Sequence, residues 1–410
     1  MKKHSKVLAS ALTVLLVTTA LAGCGSSTTT TKTGSDSAKL PTGQTLQVAT
    51  HFDQTELPKI QELADAWGKK TGNTVKIKLI PKDDMASVDT MVKSSDCPDV
   101  LFGIPHDNTG KYAVANMIAE VPAGTISAAD YSSQDVLDSG KVNGKQYAIP
   151  LFAETYALFY NKDKVKDVPK TWDELLTVAK ANGGLEFDAG NFYYGYSLIA
   201  SNGGYIFKNN NGALDTKSLG LNNDGAVKGL QMISDLVSQN FISASTNGDI
   251  AKGDFINGKT AFYISGPWDV NSAKEKKLNF GVAALPTING QTWKSFMGLQ
   301  EAMVTKNAKN SALAWDFVKY MSQDDNLTSL GKVGNRISVK KNVKLDDVVL
   351  QGFADQIKNA TPMPNIPEMN AVWKPAGDVL SKLLNKKVDA AGAAKEMQTN
   401  VESQIKQTVN

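Results

Sequence analysis

The chain has 410 residues, 41% hydrophobic and 21% charged, the proportions of a globular protein rather than a disordered or fibrous one. Its net charge of +3 is local. Lys2, Lys3 and Lys6 lie within residues 1–23, and the remainder balances 41 basic against 41 acidic side chains, which leaves no footprint for nucleic acid.

In chain order, the basic stretch Met1–Lys6 leads into the apolar run Val7–Leu21, which is shorter than the roughly 20 residues that span a bilayer. The run closes on Leu21-Ala22-Gly23-Cys24. Residues 1–23 therefore read as a secretory leader. The ending resembles the lipobox of bacterial lipoproteins, which implies cleavage before Cys24 and a diacylglyceryl thioether on its sulfur; a plain secretion signal with an incidental cysteine is the alternative. Two acyl chains would anchor the protein stably in a membrane, on its extracytoplasmic face. Cys97 is then the only unmodified thiol, so no internal disulfide is available. Residues 24–43, rich in Ser, Thr and Gly, have little to bury and read as a flexible tether.

Strands and helices alternate from there. Thr45–Thr50 reads as a strand, and Leu57, Ile60, Leu63, Ala64 and Trp67 mark one stripe of a helix that stops near Gly72. A half-buried strand carries Val75, Ile77 and Leu79, a helix is expected around Asp84–Val92, and Asp99–Phe102 is the apolar run of a buried parallel strand. Beyond Pro150 come a strand at Tyr156–Tyr160 and a capping box, Thr171-Trp172-Asp173-Glu174, opening a helix to about Ala181. A helix with Leu230, Ile233, Leu236 and Val237 follows, then strands Thr260–Ile264 and Phe280–Ala284 and a helix around Ala312–Met321. Val379–Leu384 and Ala390–Ile405 are helical. This is an α/β chain of doubly wound character, and its length favours two lobes.

The chemistry census excludes more than it includes. Outside the leader the only histidines are His51 and His106, too few with one cysteine for a His/Cys zinc site. There is no P-loop, nucleophile elbow or dinucleotide fingerprint, and no cofactor is expected. Arg336 is the only arginine, so a site clamping phosphate or carboxylate with guanidinium forks is disfavoured. Uncharged ligands move forward.

Carboxylates and aromatics do collect at strand ends, where open α/β sheets hold ligands. Asp107 follows the Asp99–Phe102 strand, Glu154 precedes Tyr156–Tyr160, and Trp268 follows Thr260–Ile264. Phe192-Tyr193-Tyr194-Gly195-Tyr196 reads as an aromatic loop. Sugars suit such a set. Pyranose C–H faces stack on flat rings, and a carboxylate accepts from vicinal hydroxyls in bonds of about 1.5–3 kcal/mol each.

Tyr160-Asn161-Lys162-Asp163 with Pro169-Lys170-Thr171-Trp172-Asp173-Glu174 resembles the solute-binding proteins of carbohydrate ABC importers. Gly203-Gly204-Tyr205, Ser265-Gly266-Pro267-Trp268 and Met363-Pro364-Asn365-Ile366-Pro367-Glu368-Met369 with Trp373 narrow the likeness to the maltose/maltodextrin-binding family, in order from about Leu46 to Ala376. The resemblance implies a periplasmic-binding-protein-like fold of type II, with a cleft that closes on an α-1,4-glucan by hinge motion. Residues 44–152 plus 302–345 would form the N-terminal lobe and 157–297 plus 350–410 the C-terminal lobe, with hinge segments near 152–157, 297–302 and 345–350. Asp107 and Glu154 would accept from sugar hydroxyls; Tyr193, Tyr194, Trp268 and Trp373 would stack; Met363 and Asp53 would complete the cleft. The implied partners are a maltodextrin and the permease subunits of an ABC importer, with the protein itself a monomer.

The chain departs from the family where a tryptophan precedes the His-Asp pair (here Gly103-Ile104-Pro105) and where an arginine follows it (Asn108). A glutamate of the aromatic loop is Asn191, and a tyrosine after the last tryptophan is Lys374. These changes bear on glucan length and on linear against cyclic ligands. Bland readings stand beside the functional ones. On periodicity alone Trp373 belongs to a core face with Leu380 and Leu384, Asp107 caps a helix starting near Asn108, and Glu154 is a hinge residue. Trp67, Trp172 and Trp315 read as structural, and Trp293 is unassigned. A capture protein serving a permease is the favoured function; a glycosidase using Asp107 and Glu154, and a sensor or adhesion lipoprotein, are the other classes.

Overall fold

Thr45–Thr50 lies between Thr74–Leu79 and Val100–Pro105 and pairs in parallel with both, Val48 facing Ile77 on one side and Val100 on the other. Parallel neighbours need crossovers. Helices Leu57–Thr71 and Met85–Lys93 supply them, the first stopped by Gly72 in the left-handed region. The computed structural model describes residues 40–81, 85–210 and 213–408; the leader, Cys24, the tether up to residue 39 and the expected helix start at Asp84 lie outside the described residues.

Antiparallel strands extend this sheet. Its order is Ile337–Ser338, Ile149–Glu154, Phe296–Val304, Val100–Pro105, Thr45–Thr50, Thr74–Leu79, with Thr361–Pro362 paired to Phe296–Val304. Leu46, Val48, Phe102, Phe152 and Val304 pack with Trp67, Trp315 and Phe317 in one core. The Trp67 indole N–H donates to Asp316, 2.9 Å away, which gives its buried ring the polar partner it needs.

A second sheet runs Phe280–Ala283, Ala157–Asn161, Phe262–Ser265, Leu185–Glu186, antiparallel except for the last pair. Only Thr155 and Tyr156 separate Ile149–Glu154 in the first sheet from Ala157–Asn161 in the second. The second core joins helices Phe192–Ser201, Asp224–Ser238, Trp373–Leu384 and Ala390–Thr408 through Ile199, Leu230, Ile233, Leu380 and Met397. Trp293 belongs to this core too, buried with its ring edge-on to Trp172.

Two local findings bear on the site. The capping box at Thr171 forms in an offset version: its hydroxyl accepts from the Glu174 N–H, while the Glu174 carboxylate accepts from the N–H of Lys170 rather than of Thr171. The aromatic run at Phe192–Tyr196, expected as a loop, is the first turn and a half of helix Phe192–Ser201. Asn191 caps it by accepting from the Tyr193 N–H, and Phe192, Tyr196 and Ile199 are buried at helical spacing.

Candidate ligand-binding site

The ends of several strands and of helices Phe192–Ser201 and Trp373–Leu384 meet around Phe296, the first residue of the Phe296–Val304 strand. Its buried ring stacks on Tyr193 (5.9 Å, 22°) and Tyr196 (4.6 Å, 17°) and meets Trp373 edge-on at 5.9 Å. Tyr156 lies against both Tyr193 and Tyr194, and the half-buried Trp268 ring approaches Tyr193 at 6.4 Å. Trp268 owes its position to Gly266, since a Cβ there would lie 2.1 Å from the indole. The four aromatics expected from the sequence are therefore brought into one panel. Phe296 and Tyr156, which hold it together, carried no signal beyond their place in apolar runs.

Asp107 sits in the short helical turn His106–Asn108 that follows Val100–Pro105. Its carboxylate caps no helix. Oδ1 accepts from the Asn108 amide at 3.1 Å, and Oδ2 accepts from the Trp373 indole N–H at 3.2 Å. Burial pushes this carboxyl up to about 6, with the Trp373 hydrogen bond pulling the other way. Asn108, where the family likeness has arginine, thus turns inward onto Asp107. Trp373 is half-buried at the head of its helix, and its N–H reaches Asp107 while its ring faces Phe192 and Phe296.

His106 ties the same region together. Its Nδ1 accepts from the Leu299 N–H at 3.1 Å, so it carries no proton, and Nε2 then donates to the Met363 carbonyl at 2.9 Å. Burial lowers its pKa to about 4, so the ring is neutral across the physiological range. Met363 is buried, and its N–H donates to the Met297 carbonyl. The Asn370 amide also donates to the Asp107 carbonyl at 3.1 Å. Sequence reasoning missed His106, because two histidines and one cysteine bore only on a zinc site.

Glu154 ends the Ile149–Glu154 strand with its side chain 14% exposed. It lies over Gly298, where a Cβ would stand 3.0 Å from its Cγ. Burial, and next the Glu154 charge, raise the Tyr193 phenol well above its usual range, and its hydroxyl has no hydrogen-bond partner among the described residues. Asp53 is half-exposed, with Oδ2 4.0 Å from Arg336. The arrangement offers flat apolar ring faces, an unpaired phenol and carboxylates at one place. Such a surface suits a neutral, polyhydroxylated ligand.

The sequence matches a family over residues 62–364, that of the bacterial extracellular solute-binding proteins. The chain belongs to this family. It is 30% identical over 418 aligned residues to a maltooligosaccharide ABC transporter solute-binding lipoprotein of Streptococcus pneumoniae strain R6, with 96% of each chain covered. Among solved structures, the maltose-maltodextrin binding protein of Alicyclobacillus acidocaldarius superposes with a TM-score of 0.83 at 33% identity, covering 88% of this chain and all (100%) of that one. The maltotriose binding protein of Thermus thermophilus, solved with maltotriose bound, gives a TM-score of 0.81 at 28% identity, with 89% and 100% covered. The two-lobed α/β architecture of this solute-binding protein is thus that of solved maltodextrin-binding proteins. Among its described residues no helix is long and apolar enough to cross a membrane.

Proposed function

We propose that this solute-binding protein captures maltodextrins, α-1,4-linked glucose oligomers, without chemically altering them, and hands them to the permease of an ABC importer. The observation that carries the reading is the meeting of Tyr193, Tyr194, Trp268 and Trp373 with the carboxylates of Asp107 and Glu154 at the strand ends. Stacked rings and a few charge-assisted hydrogen bonds suffice for the roughly 8 kcal/mol of a micromolar complex after ordering costs. The relatives named above are maltooligosaccharide and maltotriose binders. In this reading Met363 and Asp53 line the same cleft.

Closure supplies the mechanism. Residues 44–152 plus 302–345 form one lobe and 157–297 plus 350–410 the other, with hinges near 152–157, 297–302 and 345–350. The two-residue step at Thr155–Tyr156 between the sheets supports the first hinge. The passage of Phe296–Val304 from the aromatic panel into the first sheet supports the second. Cys24, lipidated, would hold the monomer to the outer face of the membrane.

A thermal-shift panel tests the substrate. A ligand at 1,000 times its Kd stabilises by about 4 kcal/mol, so millimolar maltotriose should raise Tm by several degrees. Raffinose should not. A shift with an unrelated oligosaccharide and none with any α-glucan would overturn the assignment.

A further inference from the structure

Glu154 lies over Gly298, two residues along the strand from Phe296 and beside Met363, and its Oε2 reaches a buried ion cluster built on the chain's one arginine. We propose that Arg336 is a positioning residue for ligand recognition, holding the Glu154 carboxylate in the orientation that meets sugar hydroxyls. The inference rests on the carbohydrate-binding reading above.

The backbone aims this side chain deliberately. Helix Asp324–Gly334 ends on Asn335 in the left-handed region, and the Arg336 N–H then donates back to the Gly331 carbonyl at 2.9 Å. Gly334 leaves the room required, because a Cβ there would lie 2.0 Å from Glu56 Oε1 and 3.1 Å from Arg336 Nε. The guanidinium rests on the Phe52 ring, 4.2 Å from its centroid. Nε and Nη2 donate to the two Glu56 oxygens, at 2.6 Å each. The far nitrogen, Nη1, stands 3.6 Å from Glu154 Oε2, and Nη2 is 4.0 Å from Asp53 Oδ2. Glu56 also accepts from the Asp53 N–H at 2.9 Å, which fixes the loop that carries Asp53.

Exposure sorts these carboxylates by role. The Glu56 side chain is 0% exposed, Glu154 14% and Asp53 36%, so the cluster is anchored at one end and open at the other. Glu56 alone neutralises the guanidinium, and the two outward carboxylates share the same cation. Without it three like charges would face one another, with Asp107 as a fourth nearby. A guanidinium spans this arrangement because its fork engages Glu56 at one edge and leaves Nη1 for Glu154. A lysine ammonium is a point charge and cannot bridge both.

The test is a double-mutant cycle on residues 40–410, which form one compact unit. Maltotriose affinity is measured by calorimetry for wild type, Arg336→Gln, Arg336→Lys, Glu154→Gln and the Arg336→Gln/Glu154→Gln pair. Arg336→Gln is expected to weaken binding by ~10–100-fold, and Arg336→Lys to recover only part of that. In the Glu154→Gln background the same change should cost less than about threefold. Equal losses in both backgrounds would mark Arg336 as merely structural and overturn the proposal, as would no loss in either. If Arg336→Gln fails to fold, Arg336→Lys carries the cycle. A second readout needs no sugar: the carbon-13 carboxyl resonance of Glu154, assigned through Glu154→Gln, should move in the Arg336 variants, and an unmoved signal overturns the inference. Wild type giving no heat with maltotriose would count against the carbohydrate reading, and the carboxyl resonance would then decide the role of Arg336.

Discussion

Glu301 is buried against hydroxyl groups in the Phe296–Val304 strand, where it accepts from Thr109 at 2.6 Å and Ser139 at 2.9 Å. Burial raises its pKa to about 7, and Asp107, itself raised to about 6, adds to the shift. The sign follows from linkage. A carboxyl raised in the folded state holds its proton there while the unfolded chain has lost it, so its contribution is full below the unfolded pKa of about 4 and fades as pH climbs through 7. Asp347, lowered by the Val349 and Leu350 N–H groups and by Lys274, and Asp355, lowered by its hydrogen bond to Lys358, act oppositely and lose their contribution in stronger acid. Glu301 and Asp107 therefore lower thermal stability as pH rises from about 4 to 7, while His106, lowered to about 4, opposes them below about pH 6.5. Glu301→Gln, which keeps an acceptor oxygen for one of the hydroxyls, should flatten the net fall. Calorimetric Tm values across the range check it; an unchanged slope in the variant would refute the assignment.

At the scale of elements, helix Phe192–Ser201 places both tyrosines, and Asn191 fixes where it starts. Asn191→Ala should cost about 1 kcal/mol of stability. It should also weaken maltotriose binding several-fold, because Tyr193 and Tyr194 sit in the turn that would fray; chemical denaturation and calorimetry together check this. A loss of stability with undiminished affinity would show that the tyrosines are held by Phe296 and Tyr156 alone. The Asn191 cap went unread, because a run of aromatics with Gly195 reads locally as a loop, and only packing against Leu380 and Ile233 shows why the glycine is there. Strand Phe296–Val304 was visible only as a crossing segment, since Gln300 and Glu301 interrupt its apolar pattern. Both are buried, in a stretch where the register slips against each neighbouring strand. Gly103 has φ +75°, and a Cβ there would lie 2.4 Å from the Phe52 ring, so this turn ahead of His106 requires glycine.

Across the whole molecule, the α/β order and the strand ends carrying Asp107, Glu154 and Trp268 were readable from periodicity and motif, while two lobes were expected from chain length and the family resemblance. The couplings between them were not, because Asp107 to Trp373, His106 to Met363 and Arg336 to Glu56 join positions more than 250 apart in the chain. The first two connect the Val100–Pro105 strand end with the segment from Met363 to Trp373. The central claim is that the aromatic panel binds an α-glucan. Calorimetric titration of residues 40–410 with maltotriose, for wild type and Trp268→Ala, tests it most directly. Micromolar binding that falls by about 30-fold or more in the variant is the expected result. Wild-type binding left intact by Trp268→Ala, or no heat with maltotriose from a folded sample, would contradict it.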